Sequence, residues 1–302
     1  MVGENAVITL NEQIEHLTGL VLDGSYSLDD ALNAQEHWLD AHMDAITEEE
    51  RNTFRASLQT ESSNDNRSLI DSVLKLHTTR LLVRHEVTTT PGLTLSESPT
   101  AYEVARTAYV DALRTSEREI NEARIDIAIA NAHNLLGNVT ANRRWLDIAL
   151  GRLPDLAHLD LVQLARRVPP MPVPEMSRWK RWSLKLMGIS LDKLAARNQD
   201  SLVEMALMQT DQIIILAHLV GTSFEAIRDR DRANRAFRNA AHLIIRLGKM
   251  HTQDPVQLIE LAEDLQRSEA ESARVLARQA LENCQPGSDN ELAARAQEIL
   301  SN

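Results

Sequence analysis

One cysteine, Cys284, is all the thiol chemistry this 302-residue chain offers, so no internal disulfide can hold it together, and a reducing, cytoplasmic setting is expected. Aromatics are equally scarce at 3% of residues, while Ala and Leu abound. That balance disfavours a sheet built on Val, Tyr and Phe and favours helices packed through small and aliphatic side chains. The opening MVGENAVITLNEQIEHLTGL has no basic start followed by an apolar core, so no cleaved secretion signal is expected. No apolar run comes near the ~18 residues of a membrane span. The longest, Ile213 to Val220, is interrupted by His218, and the expectation is a soluble protein.

Glycine is sparse, ten in all, and no G-x-S-x-G, G-x-x-x-x-G-K or G-x-G-x-x-G occurs, so no nucleophile elbow or phosphate-cradling loop is written in the chain. A Ser or Cys nucleophile with a distant His stays open, since such partners meet only in the fold. Cys284 has no basic neighbour in sequence to activate it and stands in a predicted turn before Pro286. Glu36, His37, Asp40, His42 and Asp44 crowd one helical stretch. His37 and His42 are five apart, however, and point roughly 140° from each other, whereas a two-His helical site wants three or four residues between them. Neither a metal nor a cofactor is expected.

Positive charge is scarce at one end. Residues 1 to 99 hold 17 acids and 6 bases, and residues 100 to 302 hold 27 acids and 26 bases, so nearly all of the net charge of -12 belongs to the N-terminal third. Such a surface repels nucleic acid and anionic membrane and attracts basic partners, besides promoting solubility.

What is present is helical periodicity. Leu28, Ala31, Leu32, Leu39 and Met43 predict a helix from Leu28 to His42 after the turn residues Asp23, Gly24 and Ser27. TESSNDN at 60 to 66 predicts a loop, and Leu69, Ile70, Val73, Leu74, Leu76, Leu81 and Leu82 line a helix starting near Arg67. VTTTPGLTLSESPT at 87 to 100 breaks it, dividing an acidic helical region, 1 to 99, from the rest, 100 to 302. Residues 101 to 136 contain no Pro or Gly, and Ser116 with Glu119 fits a capping box, predicting one helix to about Arg114 and another from about Glu117.

A repeat then emerges. NAHNLLGNVTANRRWLDIALGRLP reads as helix, turn, helix, Pro, with Gly137 at the turn and Ala149, Leu150 and Pro154 at fixed separations from it. HLVGTSFEAIRDRDRANRAFRNAAHLIIRLG, 218 to 248, carries Gly221, Phe224, Ala233, Phe237 and Ala240. Residues 254 to 283 keep the spacing in Ala262, Leu265, Ala273, Ala277 and Ala280, and an amphipathic helix from Asn290 to Leu300 would close the stack. This pattern resembles the tetratricopeptide repeat (TPR) family across roughly 120 to 300. Asn142 departs from it, standing where the family has a small apolar residue. The resemblance implies an all-α fold of helical hairpins stacked as a right-handed solenoid, with a concave groove that binds a partner peptide or helix. Gln212, His218 and Ser223 are the polar groove candidates of the strongest repeat.

Between repeats lies RRVPPMPVPEMSRWKRWSLKLMG, 166 to 188, with a Pro-rich loop at 168 to 175. Residues 166 to 197 hold eight bases and two acids, and Arg178, Trp179, Lys180, Arg181, Trp182 and Lys185 interleave cations with amphipathic rings. Two readings stand side by side: a surface that docks an acidic protein or a membrane interface, or the buried stripe of a helix whose cations face the chain's own acids. Nucleic acid fits least, given a pI near 5.3. The functional expectation is an adaptor, scaffold or regulator that holds another protein or peptide, with self-association into a homo-oligomer as a further option. A peripheral membrane or assembly protein anchored through 178 to 187, and an enzyme of unrecognised type, are the alternatives.

Overall fold

Most helices in this protein start where a short polar side chain can satisfy amides that have no carbonyl beneath them. The computed structural model describes residues 8–58, 65–89, 99–170, 191–248, 254–267, 269–285 and 289–301. Thr9 and Glu12 form a reciprocal capping box that opens α1 (Leu10–Leu22), and Ser27 with Asp30 opens α2 (Leu28–His42) in the same way. Thr47 caps α3 (Glu48–Ser57) through the Glu50 amide, and Asp65 accepts from the Ser68 amide at the start of α4 (Asn66–Thr89). Thr100 and Glu103 make a third box at the head of α5 (Ala101–Leu135). Asn138 then starts α6 (Val139–His158), Asp160 α7 (Leu161–Arg167), Asp229 α9 (Arg230–Leu247) and Asp254 α10 (Pro255–Leu265). Between α7 and α9 runs α8 (Leu191–Ala226), and α11 (Ala270–Asn283) and α12 (Asn290–Ser301) complete the chain. The protein is all-α, with no strand among the described residues.

Two compact units form, neither of them a continuous stretch of chain: Met1–Gly92 with Arg124–Asp147, and Leu93–Ala123 with Ile148–Asn302. In the first, α1 and α2 pack on α4 around Leu10, Ile14, Leu32, Leu39, Ile70 and Leu74, and Ile129 and Ala132 of α5 join the same core. Phe54 plugs α3 into it, while Glu50 accepts from the Leu10 amide at 2.7 Å. Polar groups are threaded through this core. Gln35 donates to Thr78 at 3.0 Å, Arg80 meets the buried Asp126 at 2.6 Å, and His77 is buried with no partner on either ring nitrogen.

In the second unit α8 pairs with α9 and α7, α10 with α11, and α12 closes against α10 and α11. Phe224, Ala233, Phe237 and Ala240 are all buried. Gly221 stands inside α8, where an added β-carbon would lie 2.3 Å from the Phe237 ring, so the small residue and the ring are one packing device. Ala262, Leu265, Ala273, Ala277 and Ala280 are buried as their spacing suggests.

Two sequence expectations are corrected. The helix predicted to break at Ser116 runs unbroken from Ala101 to Leu135. Ser116 is buried and its hydroxyl accepts from Gln209 at 2.8 Å, while Glu119 is held by Arg152 at 2.5 Å, so tertiary contacts have taken both halves of the expected box. Pro154, expected beyond the second helix of its hairpin, lies inside α6. A proline there removes one helical hydrogen bond and costs roughly 3 kcal/mol, and burial of Leu153 and Leu156 beside it holds the last turn in place. Separately, Ala196 to Ala226 of α8 is long and apolar enough to cross a membrane by length and composition, with 39% of its apolar window buried inside the protein. Core helices of soluble proteins share this length and composition.

The turn at Gly137 forms as expected. Gly137 has φ +77°, its amide donates to Asn134 and that of Asn138 to His133, the two bonds that close a Schellman motif. Asn142, the departure from the repeat pattern, is buried and donates to the Ala130 carbonyl at 2.7 Å, which ties α6 to α5.

Candidate functional site

α8 owes its helicity to the absence of Pro and to a single Gly in 36 residues, and its burial to one face. Ala206, Thr210, Ile213, Ala217, Val220 and Phe224 recur at helical spacing on the covered side. The opposite side is also apolar. Met205 is 49% exposed, Met208 65%, Ile215 48% and Leu219 41%, and with Gln212 they recur at alternating steps of three and four. At 100° per residue these five positions fall within roughly 80° of arc, the a/d seam of a heptad pattern with one polar residue in its middle.

Charge lies along one edge of that seam. Between Arg197 and Arg228 the helix carries Asp200, Glu204, Asp211 and Glu225 and no Lys or Arg, and the same angular count places all four acids on one flank of the stripe. Near the end of α8 acidic side chains gather around Asp264. Burial, with Glu225, Glu263 and Glu260 nearby, pushes the Asp264 carboxyl up to about 6. Arg295 grips Glu263 of this cluster with two bonds of 2.8 Å.

The sequence-derived candidates divide. Gln212 is half-buried, in line with the exposed seam. His218 is half-buried, its ring tilted against Phe237 at 5.6 Å, and the Ser223 hydroxyl bonds back to the Leu219 carbonyl at 2.8 Å. Arg178, Trp179, Lys180, Arg181, Trp182 and Lys185 lie outside the described residues, as does the Pro-rich stretch from 171 onward. Met205, Met208, Ile215 and Leu219 escaped the sequence reading. Their heptad spacing was visible, but which face α9 covers was not.

Other polar clusters bind helices to one another. Oδ1 of Asp29 accepts from His133 at 3.2 Å, Trp145 at 3.1 Å and Arg144 at 2.8 Å, and burial lowers the His133 pKa against the pull of that carboxylate. Arg152 bridges Glu119 and the buried Glu122. Trp38 and His42 stack at 4.7 Å on α2. Among the described residues no three His, Cys, Asp or Glu side chains converge as a metal centre requires. An open polar cleft of about 320 Å³ lies between α1 and α4, lined by Asn11, Glu15, Thr18, Arg67, Asp71 and Lys75. A second, of about 420 Å³, is apolar and sits between the start of α5 and α7, against Val104, Ala108 and Leu164.

No family model, no curated protein and no solved structure matches this chain.

Proposed function

We propose that this protein is a non-catalytic interaction module, an adaptor or scaffold that holds a partner peptide or helix against α8. The observation that carries this reading is the exposed seam of Met205, Met208, Ile215 and Leu219. A helix apolar on two opposite sides has one face for its own core and leaves the other for something else, and contiguous exposed apolar surface marks interaction sites. Methionine suits such a surface, because its flexible, polarisable side chain adapts to a partner.

Support for a TPR-like architecture rests on the α8/α9 and α10/α11 hairpins, with Phe237 packed on Gly221 and alanines buried between helices. Its reach is short. α5 and α8 are 35 and 36 residues long, each as long as an entire repeat of ~34 residues, so only the last part of α8 can act as the first helix of a repeat. Gly137 occupies a turn with positive φ whereas Gly221 lies within a helix, so the two hairpins use their glycines differently.

The test is paired capture with wild type and a Met208→Asp, Ile215→Asp double variant, after both are shown to be equally helical. The reading expects a stoichiometric partner that the variant loses and that slows amide exchange along α8 in the wild-type complex. A partner retained by the variant, with no protection on α8, overturns it.

A further inference from the structure

Resting on the interaction reading above, we propose that the partner of the α8 face is a separate amphipathic α-helix that repeats aliphatic residues at heptad spacing and carries Lys or Arg along one edge. From Met205 to Leu219 the seam spans roughly 21 Å at 1.5 Å per residue, two heptads, and this sets the length of helix that can lie along it. A seam of alternating three and four steps accepts the knobs of another helix better than it accepts a strand, whose edge bonds an intact helix cannot return. Gln212, half-buried, is the polar position at the centre of this run.

Charge narrows the partner further. The flank holding Asp200, Glu204 and Glu225 has no cation on the helix between Arg197 and Arg228. Nucleic acid and anionic lipid would meet like charge there. A second copy of α8 would bring only the same acids and His218 along this length, and like charges at the rails of a seam disfavour pairing. A basic edge satisfies the rail and leaves the aliphatic edge for the seam.

Two labelled peptides supply the test: 21-residue amphipathic helices with Leu at every a and d position, one with Lys and one with Glu along the flanks. Each is titrated by fluorescence anisotropy onto the full chain, its Asp200→Lys, Glu204→Lys variant and its Met208→Asp, Ile215→Asp variant. All proteins are first matched by circular dichroism and melting temperature. The expected result is binding of the Lys peptide alone, weakened about tenfold or more by either variant, with the Glu peptide gaining affinity for the lysine variant. Equal binding of both peptides, abolished by the Met208/Ile215 variant, would overturn the basic partner and keep the interaction module. Binding that ignores the Met208/Ile215 variant would overturn both. If neither peptide binds, the proposal also fails. Sedimentation then separates a dimer dissolved by the Met208/Ile215 variant, in which a second copy covers the seam, from a monomer. A monomer that binds only after Arg178→Glu, Lys180→Glu and Arg181→Glu would name the chain's own basic segment as the occupant.

Discussion

The Phe237 ring lies over Gly221 so closely that a β-carbon there would stand 2.3 Å from it. Gly221→Ala should therefore cost about 1–3 kcal/mol through overpacking, lowering the melting temperature by several degrees. Phe237→Leu, which takes the ring away, should be destabilising alone and should lessen the cost of Gly221→Ala. Urea denaturation of the four-member cycle measures the coupling, and additive effects would show that the contact is not what excludes the methyl group.

Arg228 ends α8 with φ +62°, its amide donating to Glu225 and that of Asp229 to Phe224. This is the geometry that Gly137 adopts at its own turn, with an L side chain in the left-handed region where glycine is at ease. Arg228→Gly is expected to raise stability by about 0.5–1 kcal/mol, the left-handed strain relieved less the extra freedom glycine has when unfolded. The urea midpoint should rise with an unchanged m-value. A lower midpoint would mean that the Arg228 side chain holds more than its strain costs.

His77 is buried, lacks partners for both ring nitrogens, and has its pKa lowered to about 4 by burial and by Arg80 and Arg84. The folded value lies below the unfolded one, so protonation favours the unfolded chain. The stability held by the neutral ring is whole above pH 6.5 and is lost as pH falls toward 4. The shift corresponds to about 3 kcal/mol across that window. His77→Leu should flatten the acid limb of the stability profile and at pH 7 should stabilise by about 1 kcal/mol, because two unmet polar atoms leave the core. An unchanged limb would place the acid sensitivity elsewhere.

Asp264 has the opposite sign. Its folded pKa is raised to about 6 by burial and by Glu225, Glu263 and Glu260, so protonation favours the folded chain, whose stability from this group is present at low pH and lost as pH rises through 6. Asp264→Asn should raise stability at pH 7.5 by about 1 kcal/mol after allowance for solvent screening. The gain should fade between pH 6 and 4. Thermal melts of both proteins across that range check it, and a pH-independent difference would contradict the cause.

Local chemistry was legible wherever a neighbour in sequence decides the outcome. The helix predicted from Leu28 to His42 has those ends in the structure, because Ser27 and Asp30 cap it within four residues of chain and its apolar spacing is complete. Gly137 turns for a similar reason. Ser116 with Glu119 shows the boundary of that logic. The same four-residue pattern that caps α5 at Thr100 and Glu103 is overruled inside it, since Gln209 and Arg152, 93 and 33 residues away, supply better partners.

Composition, periodicity and capping residues by themselves determined an all-α protein and some of its helix boundaries, those of α2 and the turn at Gly137 among them, because those depend on interactions spanning a few residues. Only the tertiary structure decided that α5 continues past Ser116, that Pro154 is carried inside α6, and which side of α8 is covered. The last of these identifies the candidate site. α8 is apolar on two sides, and sequence periodicity weighs both alike. The side on which α9 packs became core, and burial there left Met205, Met208, Ile215 and Leu219 as surface.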